Sequence, residues 1–92
     1  MKHLPEEKFA HLLAAATKYV EVGATYLHYK QKLYIVLSVA VFEATNEICV
    51  VYQARYGKHL TFIRPLADWL QEVEWAGKKV QRFTKVDKKI SA

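Results

Sequence analysis

The chain has 92 residues, of which 52% are hydrophobic and 13% aromatic, and its formal net charge is +5 at pH 7. This length predicts a single domain over residues 1–92, and the large apolar fraction excludes an intrinsically disordered chain. No apolar run approaches the roughly 20 residues that cross a bilayer, and the N-terminus reaches acidic residues before any hydrophobic segment. We therefore expect a cytoplasmic protein without a membrane partner.

The first predicted element is a helix over residues 5–18. Pro5 suits a first helical turn, and Glu6 and Glu7 suit the positive end of the helix dipole. Four apolar residues then recur with helical spacing: Phe9, Leu12, Leu13 and Ala16. Gly23 ends this region.

From Gly23 onward, the apolar residues follow the period of two that is typical of strands. Segments rich in Tyr, Val, Ile, Thr and Phe predict strands over residues 25–29, 32–42, 47–56 and 60–64. The joints between them are short, so neighbouring strands should pair antiparallel as a meander. The second strand is nearly all apolar, so we expect both of its faces to be covered, one of them by the N-terminal helix.

Pro65 ends the fourth strand, because proline has no N–H to donate to a neighbouring strand. Residues 65–70 then predict a short helical turn, and the residues around Gly77 predict a last strand or hairpin. The predicted fold is mainly β (α+β): a small SH3-like, partly open antiparallel β-barrel over residues 24–83. The helix precedes this barrel, and the helical turn lies before the last strand.

The excess positive charge lies at the C-terminal end. Residues 1–77 carry eight basic and eight acidic side chains, whereas the remaining residues carry six basic side chains and Asp87 alone. We predict a flexible, solvated basic tail over residues 84–92, with attraction of a phosphate-rich partner as the alternative.

The sequence contains no recognisable catalytic or cofactor motif. There is no glycine-rich phosphate loop, and the histidines at positions 3, 11, 28 and 59 lack the spacing of zinc ligands. The single cysteine, Cys49, lies in an apolar run, where a small buried hydrophobic role is expected. We therefore predict no enzyme activity, no cofactor and no metal site.

His28 and Arg64 are the strongest candidates for a polar function. If Leu27 points inward, alternation exposes His28 beside an aromatic ring and a cation; the alternative is a half-buried histidine bonded to backbone. Arg64 can bind a carboxylate or phosphate through two parallel hydrogen bonds, and an internal ion pair with Glu72 or Glu74 is its alternative.

The strand before Gly57 has a predicted core face and a predicted surface face. Alternation places Val50, Tyr52 and Ala54 together toward the core, and Arg55 on the surface side.

Several ordered motifs resemble the bacterial family called domain of unknown function 1653. The matching segments lie between residues 20 and 83 and include YLHYK (26–30), VVYQARYG (50–57) and FIRPL (62–66). The resemblance implies a small, mostly β, stand-alone bacterial protein with no established reaction. The family's His-Ser-Glu-Thr turn is replaced here by FEAT (42–45), so a site that used that histidine would be missing.

These observations predict a non-catalytic binding module that self-associates as a homodimer and recognises a protein, a peptide or an anionic ligand. The alternatives are a nucleic-acid-binding SH3-like domain and a small enzyme that uses His28 with Arg64. The predicted binding surface combines cations with aromatic rings that are expected to be exposed. Its residues are His28, Lys30, Arg55, Tyr56, Phe62, Arg64 and Trp69.

Overall fold

The structure, a computed structural model, describes residues 4–86, which form two helices and seven strands. The elements are α1 Glu6–Ala16, β1 Thr25–His28, β2 Lys32–Phe42, β3 Glu47–Ala54, β4 Thr61–Pro65, α2 Leu66–Trp69, β5 Glu72–Trp75, β6 Lys78–Gln81 and β7 Phe83–Lys85. The fold is mainly β with an N-terminal helix, as predicted. Of the two helices in residues 4–86, neither has the length and hydrophobicity needed to cross a lipid bilayer.

Five strands form one antiparallel sheet in the order β4-β3-β2-β1-β7, and β5 and β6 form a separate hairpin. The predicted meander of the first four strands is confirmed. In the described residues β4 and β7 are the two edges and do not pair with each other, so the sheet is open and no closed barrel is formed. The SH3-like character of this sheet stays a prediction.

Tight turns join the strands and require left-handed backbone at specific residues. Gln31 (φ 72°) lies between β1 and β2, and Asn46 (φ 65°) lies between β2 and β3. Ala76 (φ 53°) and Gly77 (φ 80°) both have positive φ, the pattern of a type I′ hairpin turn. The predicted hairpin around Gly77 is therefore present as β5 and β6.

The cross-strand register divides the side chains of the large sheet between two faces. The aromatic face carries Tyr26, His28, Tyr34, Val36, Val50, Tyr52, Ala54, Phe62, Arg64 and Phe83. The aliphatic face carries Leu27, Leu33, Ile35, Val51 and Ile63. A register shift in β2 between Val36 and Ser38 makes Leu37 an extra residue opposite β3.

The main core lies on the aromatic face, where α2 packs. Trp69 of α2 stacks on Phe83, with 3.7 Å between ring centroids and 7° between planes. The ring edges of Tyr26 and Tyr52 contact the same tryptophan at centroid distances of 5.3 and 5.0 Å. The predicted core positions in β3 are confirmed, because Val50, Tyr52 and Ala54 are all buried. Cys49 is also buried, as expected.

Two predictions need correction, one about the coverage of a strand and one about the end of the sheet. The expectation that both faces of strand 32–42 are covered is wrong at Leu33 and Leu37, which are each 43% exposed. Helix α1 contacts β2 and β3 but does not cover these two side chains. The sheet also extends past the predicted boundary at residue 83, since the Val86 N–H bonds the Thr25 carbonyl at 2.9 Å. The rest of the predicted tail, residues 87–92, lies outside the described residues.

Candidate functional site

Arg64 extends from β4 across the aromatic face of the sheet. Its Nε donates a hydrogen bond of 3.2 Å to the Tyr52 hydroxyl, and its guanidinium carbon lies 5.8 Å from the centre of the Phe83 ring. The residue is half-buried, yet no described carboxylate lies within ion-pair distance of it. The alternative prediction of an ion pair with Glu72 or Glu74 is therefore wrong. The half-buried guanidinium therefore keeps terminal N–H groups that make no hydrogen bond to a described residue.

His28 lies on the same face and against the same Phe83 ring, with a centroid distance of 5.0 Å. Its Nδ1 accepts a hydrogen bond of 3.1 Å from the backbone N–H of Lys30. The side chain is half-buried, and Tyr26, its neighbour on that face, is buried. The prediction that Leu27 points inward and exposes His28 is thus wrong, and the half-buried alternative is confirmed. The fold brings His28 and Arg64 together.

The surroundings of His28 favour its neutral form. Burial lowers the pKa of His28, and the positive charges of Arg64, Arg82 and Lys30 lower it further. Because Nδ1 accepts the Lys30 N–H, the single proton of the neutral ring resides on Nε2. No described residue accepts a hydrogen bond from Nε2. His28 is therefore a neutral donor in a region of positive potential.

A pair of tyrosine hydroxyls lies at the rim of the site. The Tyr34 and Tyr56 oxygens are 2.5 Å apart, and the Lys32 ammonium lies 5.1 Å from the centre of the Tyr56 ring. Burial, followed by the hydrogen bond to Tyr56, raises the pKa of Tyr34 well above its usual value of 10.0. The Tyr34 hydroxyl therefore keeps its proton at neutral pH and can donate or accept a hydrogen bond.

Four other predicted site residues are exposed: Lys30, Arg55, Tyr56 and Phe62. Tyr56 and Phe62 are exposed, as expected, and Phe62 lies beside Tyr52 with a centroid distance of 5.8 Å. Lys30 is exposed and its ammonium lies 5.8 Å from the centre of the Tyr29 ring. Arg55 is exposed, and its side chain makes no hydrogen bond or ion pair within residues 4–86.

Trp69 is the predicted site residue that the structure contradicts. It was expected to be exposed, but it is 2% exposed and forms the centre of the core with Phe83. The short helix after Pro65 turns this side chain onto the aromatic face. Trp75 is the exposed tryptophan, at 47%, and it meets the Tyr29 ring edge-on at 5.4 Å.

Sequence reasoning missed residues that hold the candidate site together. Tyr52 was assigned to the core alone, although its hydroxyl also orients Arg64. Phe83 was not singled out, yet both His28 and Arg64 lie against its ring. The period-two alternation predicts that Phe62 and Arg64 lie on the same face of their strand. Placing that face next to Tyr52 also requires the register that sets Phe62 opposite Tyr52, and the sequence does not reveal this register.

Two small clefts flank the site. One, of about 170 Å³, lies between β1 and the β5–β6 hairpin and is lined by His28, Tyr29 and Trp75. The other, of about 180 Å³, lies over the Trp69–Phe83 stack and reaches Lys85. Within residues 4–86 no group of three or more His, Cys, Asp or Glu side chains is placed to hold a metal ion. The arrangement is suited to holding an anionic group beside aromatic rings.

Comparisons with known proteins agree on one family. The model of the family described as protein of unknown function (DUF1653) matches residues 24–85. A crystal structure of a DUF1653 protein from Bordetella bronchiseptica superposes with a TM-score of 0.66 at 28% sequence identity, covering 74% of this chain and 90% of that one. No curated protein matches the chain. Since the family model spans the whole large sheet, from β1 to β7, the chain belongs to the DUF1653 family.

Proposed function

We propose that this protein is a non-catalytic binding module that holds an anionic group of its ligand at Arg64. The observation that carries the proposal is the half-buried guanidinium without a carboxylate partner among the described residues. Leaving such a charge unpaired is costly, because it has lost part of its hydration without gaining an ion pair. A bound carboxylate or phosphate would supply that missing partner.

The pre-ordering of Arg64 supports a recognition role. The Tyr52 hydroxyl holds the side chain through Nε, and the guanidinium carbon lies over the Phe83 ring, so the terminal nitrogens are left for a ligand. Fixing a side chain before binding reduces the entropy lost when the ligand arrives. An exposed, freely rotating arginine such as Arg55 lacks this advantage.

The state of His28 supports binding over catalysis. A general base needs a free ring nitrogen, but Nδ1 is occupied by the Lys30 N–H and Nε2 carries the proton. His28 can therefore donate a hydrogen bond to an anion but is not available as a base. The small enzyme that would pair His28 with Arg64 is disfavoured for this reason, although both side chains lie on one face.

The ligand class that we favour is a carboxylate-bearing peptide or small anion. Exposed Tyr56 and Phe62 border the aromatic face and can contact an apolar neighbour of the anionic group. Single-stranded nucleic acid is the second candidate, because Lys32 lies over the Tyr56 ring, a combination suited to a phosphate next to a stacked base. We also propose that the protein self-associates and that its open sheet is related to SH3-like barrels.

Heteronuclear NMR titration of the isotopically labelled protein tests the anion site. The probes are sodium acetate, inorganic phosphate, a short acidic peptide and a generic single-stranded oligonucleotide, each at several salt concentrations. We expect shifts of the Arg64 side-chain resonance and of the His28, Tyr52 and Phe83 signals. In Arg64→Met the shifts should vanish, whereas in the matched control Arg55→Met they should persist.

The outcomes separate the candidates. Saturable shifts with the peptide that depend on Arg64 support the proposed module. Oligonucleotide binding that weakens steeply with salt favours the nucleic-acid alternative. Equal shifts in Arg64→Met and the unsubstituted protein would show that the anion lies elsewhere, and the proposal would be wrong.

A further inference from the structure

Strand β4 is an edge of the large sheet, and within residues 4–86 no strand pairs with its outer side. The Ala54 N–H bonds the Leu60 carbonyl, which makes Ala54 and Leu60 a hydrogen-bonded pair. Hydrogen-bonded and non-hydrogen-bonded pairs alternate along an antiparallel ladder. In β4 the backbone groups of Phe62 and Arg64 therefore point to β3, and those of Thr61, Ile63 and Pro65 point outward.

Pro65 fits this assignment. Its partner in β3 is Cys49, at a position where alternation requires no N–H from β4. The ring therefore removes no bond from the existing sheet, as expected for proline in an edge strand. The outer side of β4 thus offers the N–H and C=O groups of Thr61 and Ile63.

The side chains along this edge are uncharged up to Arg64, and all of them except Thr61 are apolar. Leu60 is 59% exposed and Ile63 is 57% exposed, and Phe62 between them is also exposed. Soluble proteins usually protect an open edge with a charge, a proline, a bulge or a very short strand, and in β4 such protection is confined to Arg64 and Pro65 at its C-terminal end. The opposite edge has such protection, because β7 has three residues and ends at Lys85, which is ion-paired with Glu21.

We infer that β4 pairs antiparallel with β4 of a second copy, joining two five-stranded sheets into one. This inference gives the proposed self-association its surface, and it does not depend on anion binding. Antiparallel pairing of identical strands is a two-fold arrangement, in which each copy offers the other the same groups. The outward groups of Thr61 and Ile63 then find partners, and the exposed apolar side chains of the edge become covered.

Three registers place outward groups opposite outward groups near the centre of β4, and the one centred on Arg64 is disfavoured because it sets the two arginines opposite each other. Two registers remain. One is centred on Ile63 and puts Arg64 opposite Phe62 of the second copy. The other is centred on Phe62 and puts Arg64 opposite Leu60 of the second copy. In both registers each arginine faces an apolar residue and never the other arginine, so the pairing avoids like-charge repulsion. The edge is therefore complementary to itself in charge as well as in hydrogen bonding.

Sedimentation velocity of the full chain over a broad range of concentration tests this inference. We expect reversible dimerisation, weakened at least tenfold by Ile63→Lys, which puts a charge on the free edge. Leu33→Lys is the matched control: it adds the same charge to the same face on β2, whose two neighbours β1 and β3 are both in place. It should leave dimerisation unchanged. Circular dichroism confirms that both variants are folded.

Disulfide trapping then tests the strand pairing directly. Cysteine at position 63 or 62 of one copy would lie opposite its counterpart at about 4.5–5.5 Å between Cα atoms, within range of a disulfide. Mild oxidation of Ile63→Cys or Phe62→Cys should give a covalent dimer, and whichever forms it reports the register. Leu33→Cys should stay monomeric, and the native Cys49 is buried and does not interfere.

The inference is overturned if neither edge cysteine is trapped and Ile63→Lys dimerises as well as the unsubstituted protein. A chain that is monomeric at the highest concentration overturns both the surface and the proposed self-association. Neither result bears on the proposed anion site, because the acetate and peptide titrations measure binding at Arg64 independently of dimerisation. Conversely, loss of anion binding in a chain that still forms the trapped dimer would leave this inference standing.

Discussion

The two faces of the large sheet are built from the same strands, yet they differ in what covers them. On the aromatic face, Trp69 and Phe83 stack over Tyr26 and Tyr52, and these rings are all buried. On the aliphatic face, Leu33 stays 43% exposed and Ile63 stays 57% exposed. Hydrophobicity alone does not decide which face becomes the core; the element that folds over it does.

The difference between the two faces also explains why the Arg64 guanidinium lies on the aromatic face. Aromatic side chains such as Tyr52 carry a hydroxyl into a packed region, so Arg64 has a partner there. Aliphatic side chains offer no such partner, and their face carries no comparable cluster within residues 4–86. The buried core and the proposed anion site therefore lie on the same side of this sheet.

The largest expected effect comes from removing the cover of the aromatic face. Trp69→Ala should lower the free energy of unfolding by about 3–5 kcal/mol, because a large buried ring is deleted and a cavity remains. Trp75→Ala is the matched control, and loss of its edge contact with Tyr29 should cost about 1 kcal/mol. Urea denaturation measures both. Similar losses for the two tryptophans would contradict the asymmetry between buried and exposed aromatic residues.

A smaller effect is expected from the hydroxyl that orients Arg64. Tyr52→Phe should cost about 1 kcal/mol of stability, the net value of one hydrogen bond, and should also weaken peptide binding. Tyr34→Phe breaks the hydrogen bond to Tyr56 without touching Arg64, so it should leave Arg64 oriented. If both variants bind the acidic peptide equally well, the Tyr52 hydroxyl does not position Arg64.

The next effect depends on pH and comes from His28. Its pKa in the folded chain is lower than the ordinary value of 6.5, first because of burial and then because of Arg64, Arg82 and Lys30. The unfolded chain therefore takes up a proton more readily, and the free energy of unfolding falls as the pH drops below 6.5 toward the folded-state pKa. Above that window His28 contributes no pH dependence.

Thermal melts across this pH window check the prediction. Replacing the residue, as in His28→Gln, should flatten the acid side of the stability profile. An unaltered acid slope in His28→Gln would mean that other groups cause it.

The smallest effect is expected on the aliphatic face. Leu33→Thr should change the free energy of unfolding by no more than about 0.5 kcal/mol, because the side chain is already largely in water and threonine suits a strand. Denaturation measures this next to Val36→Thr, which lies on the aromatic face and is fully buried. A large cost for Leu33→Thr would show that this face is covered in solution.

Local patterns predicted the elements and the meander of the first four strands, but not the positions of β7 and α2. The apolar spacing around Phe9 and the alternation from Val50 to Ala54 are short-range signals, and both elements were found where they pointed. The burial of Trp69 depends on how α2 packs against β7, which is distant in sequence. Likewise, the meeting of His28 and Arg64 over Phe83 requires the order β4-β3-β2-β1-β7. Alternation cannot supply that order when both faces of a strand are apolar.

The extra residue at Leu37 gives β2 an unusual tolerance of a one-residue deletion. On one side of it, Val36 lies opposite Tyr52; on the other, Ser38 lies opposite Val51. Deleting Leu37 would make Val36 and Ser38 consecutive opposite Tyr52 and Val51, so every pair with β3 and every side-chain direction would be kept in a regular ladder. Leu37 itself is exposed, so its chemical identity matters little. What this position contributes is the local bend and added twist of a bulge.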